Sequence, residues 1–195
     1  MTAPARDERA MALDLPEPPR GEMEPGMAEY FAKCEAVLGF VPNVLRAHSF
    51  DSEKLRLFVE TYNHLMFADS ELTKLEREMI AVVVSSRNRC YYCLVSHGQA
   101  VRELSGDPSL GEQLVMNYRA ARLDRRTRAM LDFCVTLTDR PETVEEADRA
   151  ELRDAGFSPR AIWDIAATAA FYAMSNRLAI GLDMRPNVEY HARSR

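Results

Sequence analysis

The sequence predicts an all-α protein of about eight helices, and three observations carry that expectation. Apolar residues recur at spacings of three and four along most of the chain. Helix-start signals precede these runs, as Ser, Thr or Asp followed by Pro, or by Glu three residues on. No convincing strand pattern accompanies them. Val82–Val84 has strand propensity but lies inside a capped, helix-patterned segment. The 195 residues, 47% of them hydrophobic, suffice for one domain with short appendages.

Residues 1–25 hold Pro4, Pro16, Pro18, Pro19 and Pro25 among charges, so they are expected to form an extended tail, ordered only where it docks on a neighbour. The helical domain is expected over residues 26–183. Its first helix covers 27–38, with Tyr30, Phe31, Cys34, Val37 and Leu38 recurring, and stops at Gly39. Gly39-Phe-Val-Pro-Asn43 makes a turn, 44–50 a short helix, and 52–67 a longer one. Thr73 and Glu76 form a capping box for a helix to about residue 88. Its middle, residues 79–84, is apolar on every face, which marks it as central and buried. A second helix begins near Tyr91 and runs to about Leu104, and Asp107-Pro108 opens the next. An amphipathic helix covers 124–138. Thr143 and Glu146 suggest another capping box, with Gly156 closing that helix. Ser158-Pro159 caps the longest helix, to about Leu182. Its Ile162, Ile165, Ala166, Ala169, Ala170, Ala173 and Met174 form a small-residue stripe suited to close packing in the core or against another subunit. Residues 184–195 read as a polar tail.

Composition excludes several function classes. The net charge of -5 and the lack of Lys and Arg clusters interleaved with aromatics argue against a nucleic-acid surface. No apolar run reaches the roughly 18 residues that span a bilayer, and no signal-peptide pattern opens the sequence. A cytoplasmic protein is therefore expected. In that setting a C-x-x-C pair is more often catalytic or metal-binding than a structural staple. Cys34 and Cys134 each sit alone in apolar helical patterns and read as small core residues.

The chemistry concentrates in residues 87–98, which hold Cys90, Cys93 and His97. With Cys90 at the cap and the other two on the helix, the three directions fall within about 60° of one another. Cys93 and His97 are an i,i+4 pair, which singles out Cys93 as the sulfur paired with a base. Both thiols lie near a helix N-terminus, where the macrodipole favours an anion and lowers a thiol from its usual value of about 8.5. Glu78 sits on an apolar helix beside Val82 and Ser85, a costly place for an unpaired carboxylate. An antiparallel return of the next helix would bring His97 beside it as base and orienter. The alternatives for Glu78 are solvent exposure or pairing with Arg77 or Arg89.

Glu78, Cys90, Cys93 and His97 at this spacing, with Leu72-Thr-Lys-Leu-Glu-Arg-Glu-Met-Ile-Ala-Val-Val-Val and Cys-Tyr-Tyr-Cys-Leu-Val-Ser-His, resemble the core motif of the alkyl hydroperoxidase D-like proteins of the carboxymuconolactone decarboxylase superfamily. Gly39-Phe-Val-Pro-Asn43 and Asn176-Arg177-Leu-Ala-Ile-Gly181 resemble its peroxidase-related subgroup. The resemblance implies an all-helical fold that assembles into dimers, trimers or hexamers. It also implies reduction of a hydroperoxide substrate by a dithiol, with an external lipoyl or thioredoxin-like dithiol as reductant. Cys93 then corresponds to the peroxidatic thiol, Cys90 to the resolving thiol, and His97 with Glu78 to the proton relay. No metal or organic cofactor is implied. The best-known relatives have a histidine directly before the second cysteine, where this chain has Tyr92. Decarboxylase relatives lack the cysteine pair, so lactone decarboxylation is not expected.

Three other readings stand beside this one. The cluster could be a zinc site, although no second C-x-x-C or His pair completes it. It could be a non-enzymatic thiol–disulfide sensor or assembly protein, or the cysteines could simply pack. Of the other histidines, His48 follows the Gly-Phe-Val-Pro-Asn turn as a solvent-facing or satisfied residue, His64 takes a polar helix face, and His191 falls in the tail. Trp163 is expected to pack, and Arg177 to need a carboxylate or carbonyl partner.

Overall fold

The apolar run at the centre of the sequence becomes the axis of the fold. A computed structural model describes residues 9–195; the first eight residues of the expected tail lie outside the described residues. Among the described residues there are nine α-helices and no strand: α1 (Pro25–Leu38), α2 (Asn43–His48), α3 (Ser52–Phe67), α4 (Lys74–Asn88), α5 (Tyr91–Ser105), α6 (Pro108–Asn117), α7 (Arg125–Asp139), α8 (Glu146–Asp154) and α9 (Pro159–Gly181). Helix α4 packs against α3, α5, α6, α7 and α9. Ile80, Ala81, Val82, Val83 and Val84 are fully enclosed, so the all-round apolar pattern is met by neighbours on every side.

The capping chemistry is local and explicit. Thr73 Oγ1 accepts from the Glu76 amide at 3.1 Å while Thr73 N–H donates to Glu76 Oε2 at 2.7 Å. Asp51, Asp107, Asp124 and Ser158 cap α3, α6, α7 and α9 in the same way, each side chain accepting from a first-turn amide. Gly39 closes α1 at φ 78°, a conformation that glycine adopts without strain. The start of α8 differs from expectation. Pro141–Thr143 forms its own 3₁₀ turn, and Glu145 N–H donates to Asp148 Oδ2 at 2.8 Å to open the helix two residues later than Thr143 implied.

Both tails are seated on the helical body. Ala12 N–H donates to the Leu182 carbonyl at 2.9 Å, and Arg185 N–H donates to the Ala10 carbonyl at 3.0 Å. Ala10, Met11 and Met184 are buried in one cluster with Cys90, Tyr92 and Cys93. The C-terminal segment, expected as a polar tail, instead buries Met184 and Tyr190. Asn43 accounts for much of its position: its N–H donates to Asn187 Oδ1 at 2.7 Å, and its Nδ2 donates to the Arg185 carbonyl at 3.0 Å. Tyr190 meets the Phe40 ring edge-on at 5.0 Å between centroids. The Gly-Phe-Val-Pro-Asn turn therefore serves as the clamp for the end of the chain.

Helix α9 turns part of the expected stripe inward, with Ile165 and Ala169 buried and Ile162 and Ala166 packed against the core. Ala161, Ile165, Thr168, Ala169, Tyr172, Ser175, Asn176 and Ala179 are buried, whereas Ala170 and Met174 face out. Trp163, expected to pack, is 63% exposed because it lies on the outer side, away from α4 and α7. Arg177 has a carbonyl partner within its own helix, Ala173, at 2.6 Å. No helix among the described residues is long and apolar enough to cross a membrane.

Candidate active site

The site is built by the junction of α4 and α5. Arg89, at φ 58°, ends α4 in the left-handed conformation. The Arg89 N–H donates to the Ser86 carbonyl at 3.1 Å and the Cys90 N–H to the Ser85 carbonyl at 3.0 Å. These two bonds form a Schellman turn. The Cys90 carbonyl then accepts from the Leu94 N–H at 3.0 Å, so Cys90 ends one helix and starts the next. With no spare residue between them, α5 folds back along α4.

That return brings His97 to Glu78. His97 Nδ1 lies 2.6 Å from Glu78 Oε2, and the two side chains are 12% and 9% exposed. A carboxylate only accepts, so Nδ1 carries the proton in this contact and Nε2 is the nitrogen left for chemistry. The Tyr172 ring meets the imidazole edge-on at 4.8 Å. The alternative partner Arg77 is engaged elsewhere, donating to the carbonyls of Leu65 and Ala68 at the end of α3 and of Leu72 in the connection to α4.

Both thiols are buried, at 1% exposure for Cys90 and 2% for Cys93. They are free and hydrogen-bonded to each other. Cys93 donates to Cys90, which holds the Cys90 thiol down to about 7, with the nearby His97 and Asn176 helping. The same bond and burial push Cys93 upward, against donors from Asn176 and Ser85. The pair thus gives up one proton readily and keeps the second. The contact between the two sulfurs is the largest influence on both thiols, larger than that of the imidazole.

A cavity of about 560 Å³ opens over this constellation, with Cys93, His97 and Glu78 on its wall. Tyr30, Phe58, Tyr62, Phe171 and Tyr172 are among its lining residues, beside aliphatic and polar side chains. Cys34, read as a small core residue, is buried and also borders this cavity, its thiol raised by burial. Cys134 is fully enclosed, as expected of a core residue. His48 is satisfied and buried rather than solvent-facing: its Nδ1 lies 2.7 Å from the Val44 carbonyl, and its ring stacks on Phe58 at 4.2 Å. Among the described residues, no three His, Cys, Asp or Glu side chains converge as a set that could hold a metal ion.

Sequence reasoning missed Ser85 and Asn176. Asn176 Nδ2 donates to Ser85 Oγ at 2.9 Å, its Oδ1 accepts from Asn88 at 2.9 Å, and its side chain reaches both sulfurs. The available signal was a polar residue inside an otherwise apolar helical face. Tyr92, the departure from the best-known relatives, has a structural task. Its phenol oxygen accepts from the Val44 N–H at 2.9 Å and so satisfies a free donor at the start of α2.

A model of the carboxymuconolactone decarboxylase family matches residues 53–109, the segment that carries α3, α4 and α5. An uncharacterized peroxidase-related protein from Silicibacter sp. TM1040 is 53% identical, aligned over 99% of this chain and 100% of its own, with a TM-score of 0.93. A second, described as an alkylhydroperoxidase AhpD core from Ralstonia eutropha JMP134, is 38% identical over 92% and 95% of the two chains, with a TM-score of 0.88. The debrominase Bmp8 shares the fold at 20% identity over 86% and 89%, with a TM-score of 0.73. No curated protein matches the chain. With more than half of its residues shared across the whole of a peroxidase-related structure, the chain belongs to the alkyl hydroperoxidase D-like proteins of the carboxymuconolactone decarboxylase superfamily.

Proposed function

We propose that the protein is a thiol-dependent peroxidase that reduces hydroperoxides through Cys93 and Cys90. One observation carries this reading: Cys93 shares a cavity wall with a hydrogen-bonded His97–Glu78 pair and is itself hydrogen-bonded to Cys90. In the reduced pair one proton is held between two sulfurs. Passing it from Cys93 to Cys90 makes Cys93 the nucleophile on the cavity side. The Cys93 thiolate attacks the terminal peroxide oxygen and the O–O bond breaks. Cys93 becomes a sulfenic acid, and the departing alkoxide takes a solvent proton relayed through Nε2 of His97, whose Nδ1 is held by Glu78. Cys90 then attacks the Cys93 sulfur. The hydroxide that leaves takes the Cys90 proton, giving a disulfide and water. An external dithiol restores the pair by exchange.

Family membership supports an antioxidant role. The exposed Trp163, Met174 and Leu178 along α9 support assembly into a homo-oligomer. Peroxide consumption with dihydrolipoamide or a thioredoxin system tests the reading in wild type, Cys93→Ser and Cys90→Ser. Cys93→Ser should abolish turnover, and Cys90→Ser should accumulate a sulfenic acid that a trapping reagent detects. Equal rates in all three would defeat it, and a disulfide that forms without turnover would favour a redox sensor.

A further inference from the structure

A second cavity, of about 450 Å³, reaches the dithiol from another side. Arg89, Cys90, Tyr91, Ile180, Arg185 and Val188 are among its lining residues. Cys90 borders this cavity and not the first, whereas Cys93 borders the first and not this one. Tyr92 borders both, and its phenol is tied to the Val44 N–H at 2.9 Å. A fixed aromatic ring therefore partitions the approaches to two adjacent sulfurs. Cys90 is 1% exposed, so a thiol fixed on the face of a globular partner cannot touch it. A narrow molecule, or a dithiol at the end of a flexible arm, can enter.

We propose that oxidant and reductant use separate entrances: the hydroperoxide meets Cys93 from the first cavity, and a slender dithiol attacks Cys90 from the second one. This rests on the peroxidase reading. One thiolate of the donor attacks Cys90 Sγ, the Cys90–Cys93 bond breaks, and Cys93 departs with the electron pair. The donor's second thiol passes its proton to Cys93 and attacks its own sulfur in the mixed disulfide. A cyclic donor disulfide leaves, and Cys90 is released as the thiolate beside protonated Cys93. That is the charge arrangement of the reduced pair.

The two half-reactions can be measured apart. Diamide forms the disulfide without peroxide, and its reduction by dihydrolipoamide is followed by rapid mixing. Oxidation of reduced protein by cumene hydroperoxide is followed separately. Ile180 and Val188 are 51% and 74% exposed, so Ile180→Trp and Val188→Trp fill the second cavity from its surface. Each should slow reduction by about tenfold or more, through lost access, and leave oxidation unchanged. Ala100→Trp, on the first cavity, should do the reverse. Joint slowing of both half-reactions, or unimpaired reduction in the two rim variants, would overturn the proposal. Reduction by thioredoxin as fast as by dihydrolipoamide would overturn the slender-donor requirement. Failure of cumene hydroperoxide to react with wild type would instead sink the peroxidase reading, and the diamide arm would still measure access to Cys90.

Discussion

Asn176 on α9 donates to Ser85 on α4 across 2.9 Å, and both also donate to the Cys93 sulfur. Asn176 reaches Cys90 as well. The charge of the dithiol is thus set partly by a polar pair from two helices that carry no thiol.

Thiolate absorbance should titrate once near neutrality in the reduced protein. Cys90 is held at about 7, whereas Cys34, Cys93 and Cys134 are all raised. One equivalent at 240 nm is expected between pH 6 and 8, and Cys90→Ser should remove it. Asn176→Ala should move the step upward. The sign for stability follows from the lowered value. The folded protein releases this proton before the unfolded chain does, so Cys90 adds stability as pH rises from about 7 toward 9, and that contribution is lost on acidification. Thermal melts of the reduced protein across this range check it.

Glu78→Gln keeps the shape of the side chain but removes the negative charge at His97 Nδ1. Peroxide turnover should fall by about 10²-fold, with circular dichroism unchanged. The single thiolate step should persist, because its largest cause is the bond from Cys93. A rate within twofold of wild type would remove the relay from the mechanism.

Gly111 and Gly98 are unequal partners in the α5–α6 contact. A Cβ on Gly111 would stand 2.8 Å from the Gly98 carbonyl oxygen, whereas one on Gly98 would meet only the far end of Arg102, at 3.8 Å. Gly111→Ala should cost about 1–3 kcal/mol by overpacking and lower Tm by roughly 3–10 °C. Gly98→Ala should gain about 0.5–1 kcal/mol from helix propensity. Paired melting curves test the asymmetry.

Arg89 holds a left-handed conformation without being glycine. Arg89→Gly should relieve that strain and stabilise the fold by about 0.5–1 kcal/mol, raising Tm by about 1–4 °C. A decrease in Tm would mean that the arginine side chain outweighs its backbone strain.

The helices were legible because their signals are local. Thr73, Asp107 and Ser158 each cap within three residues, and Cys93 and His97 share a face by spacing alone. Glu78 could be paired with His97 because the short junction leaves α5 little choice of direction. The contact between the two sulfurs was not legible. Helical spacing brings an imidazole near Cys93 but does not say which sulfur donates to the other. Ser85 and Asn176 stand 91 residues apart, so their bond belongs to the packing of α4 on α9. The seating of residues 10–12 and 184–190 depends on backbone bonds and on Asn43 and Asn187, for which no periodicity gives notice. The expectation for Trp163 followed its size, whereas its position on the outer face of α9 decides its exposure.

The backbone bonds joining Ala10 and Ala12 to Arg185 and Leu182 set practical rules for handling the chain. Entry and exit strands of the polypeptide meet beneath the thiols, in the cluster that holds Met11, Met184 and Cys90. An expression variant shortened to begin at residue 13 would strip that floor, and a bulky fusion ending at residue 9 would crowd it. Affinity tags are better placed ahead of the first described residues with a flexible spacer, so that a redox assay reports on the protein and not on its trimming.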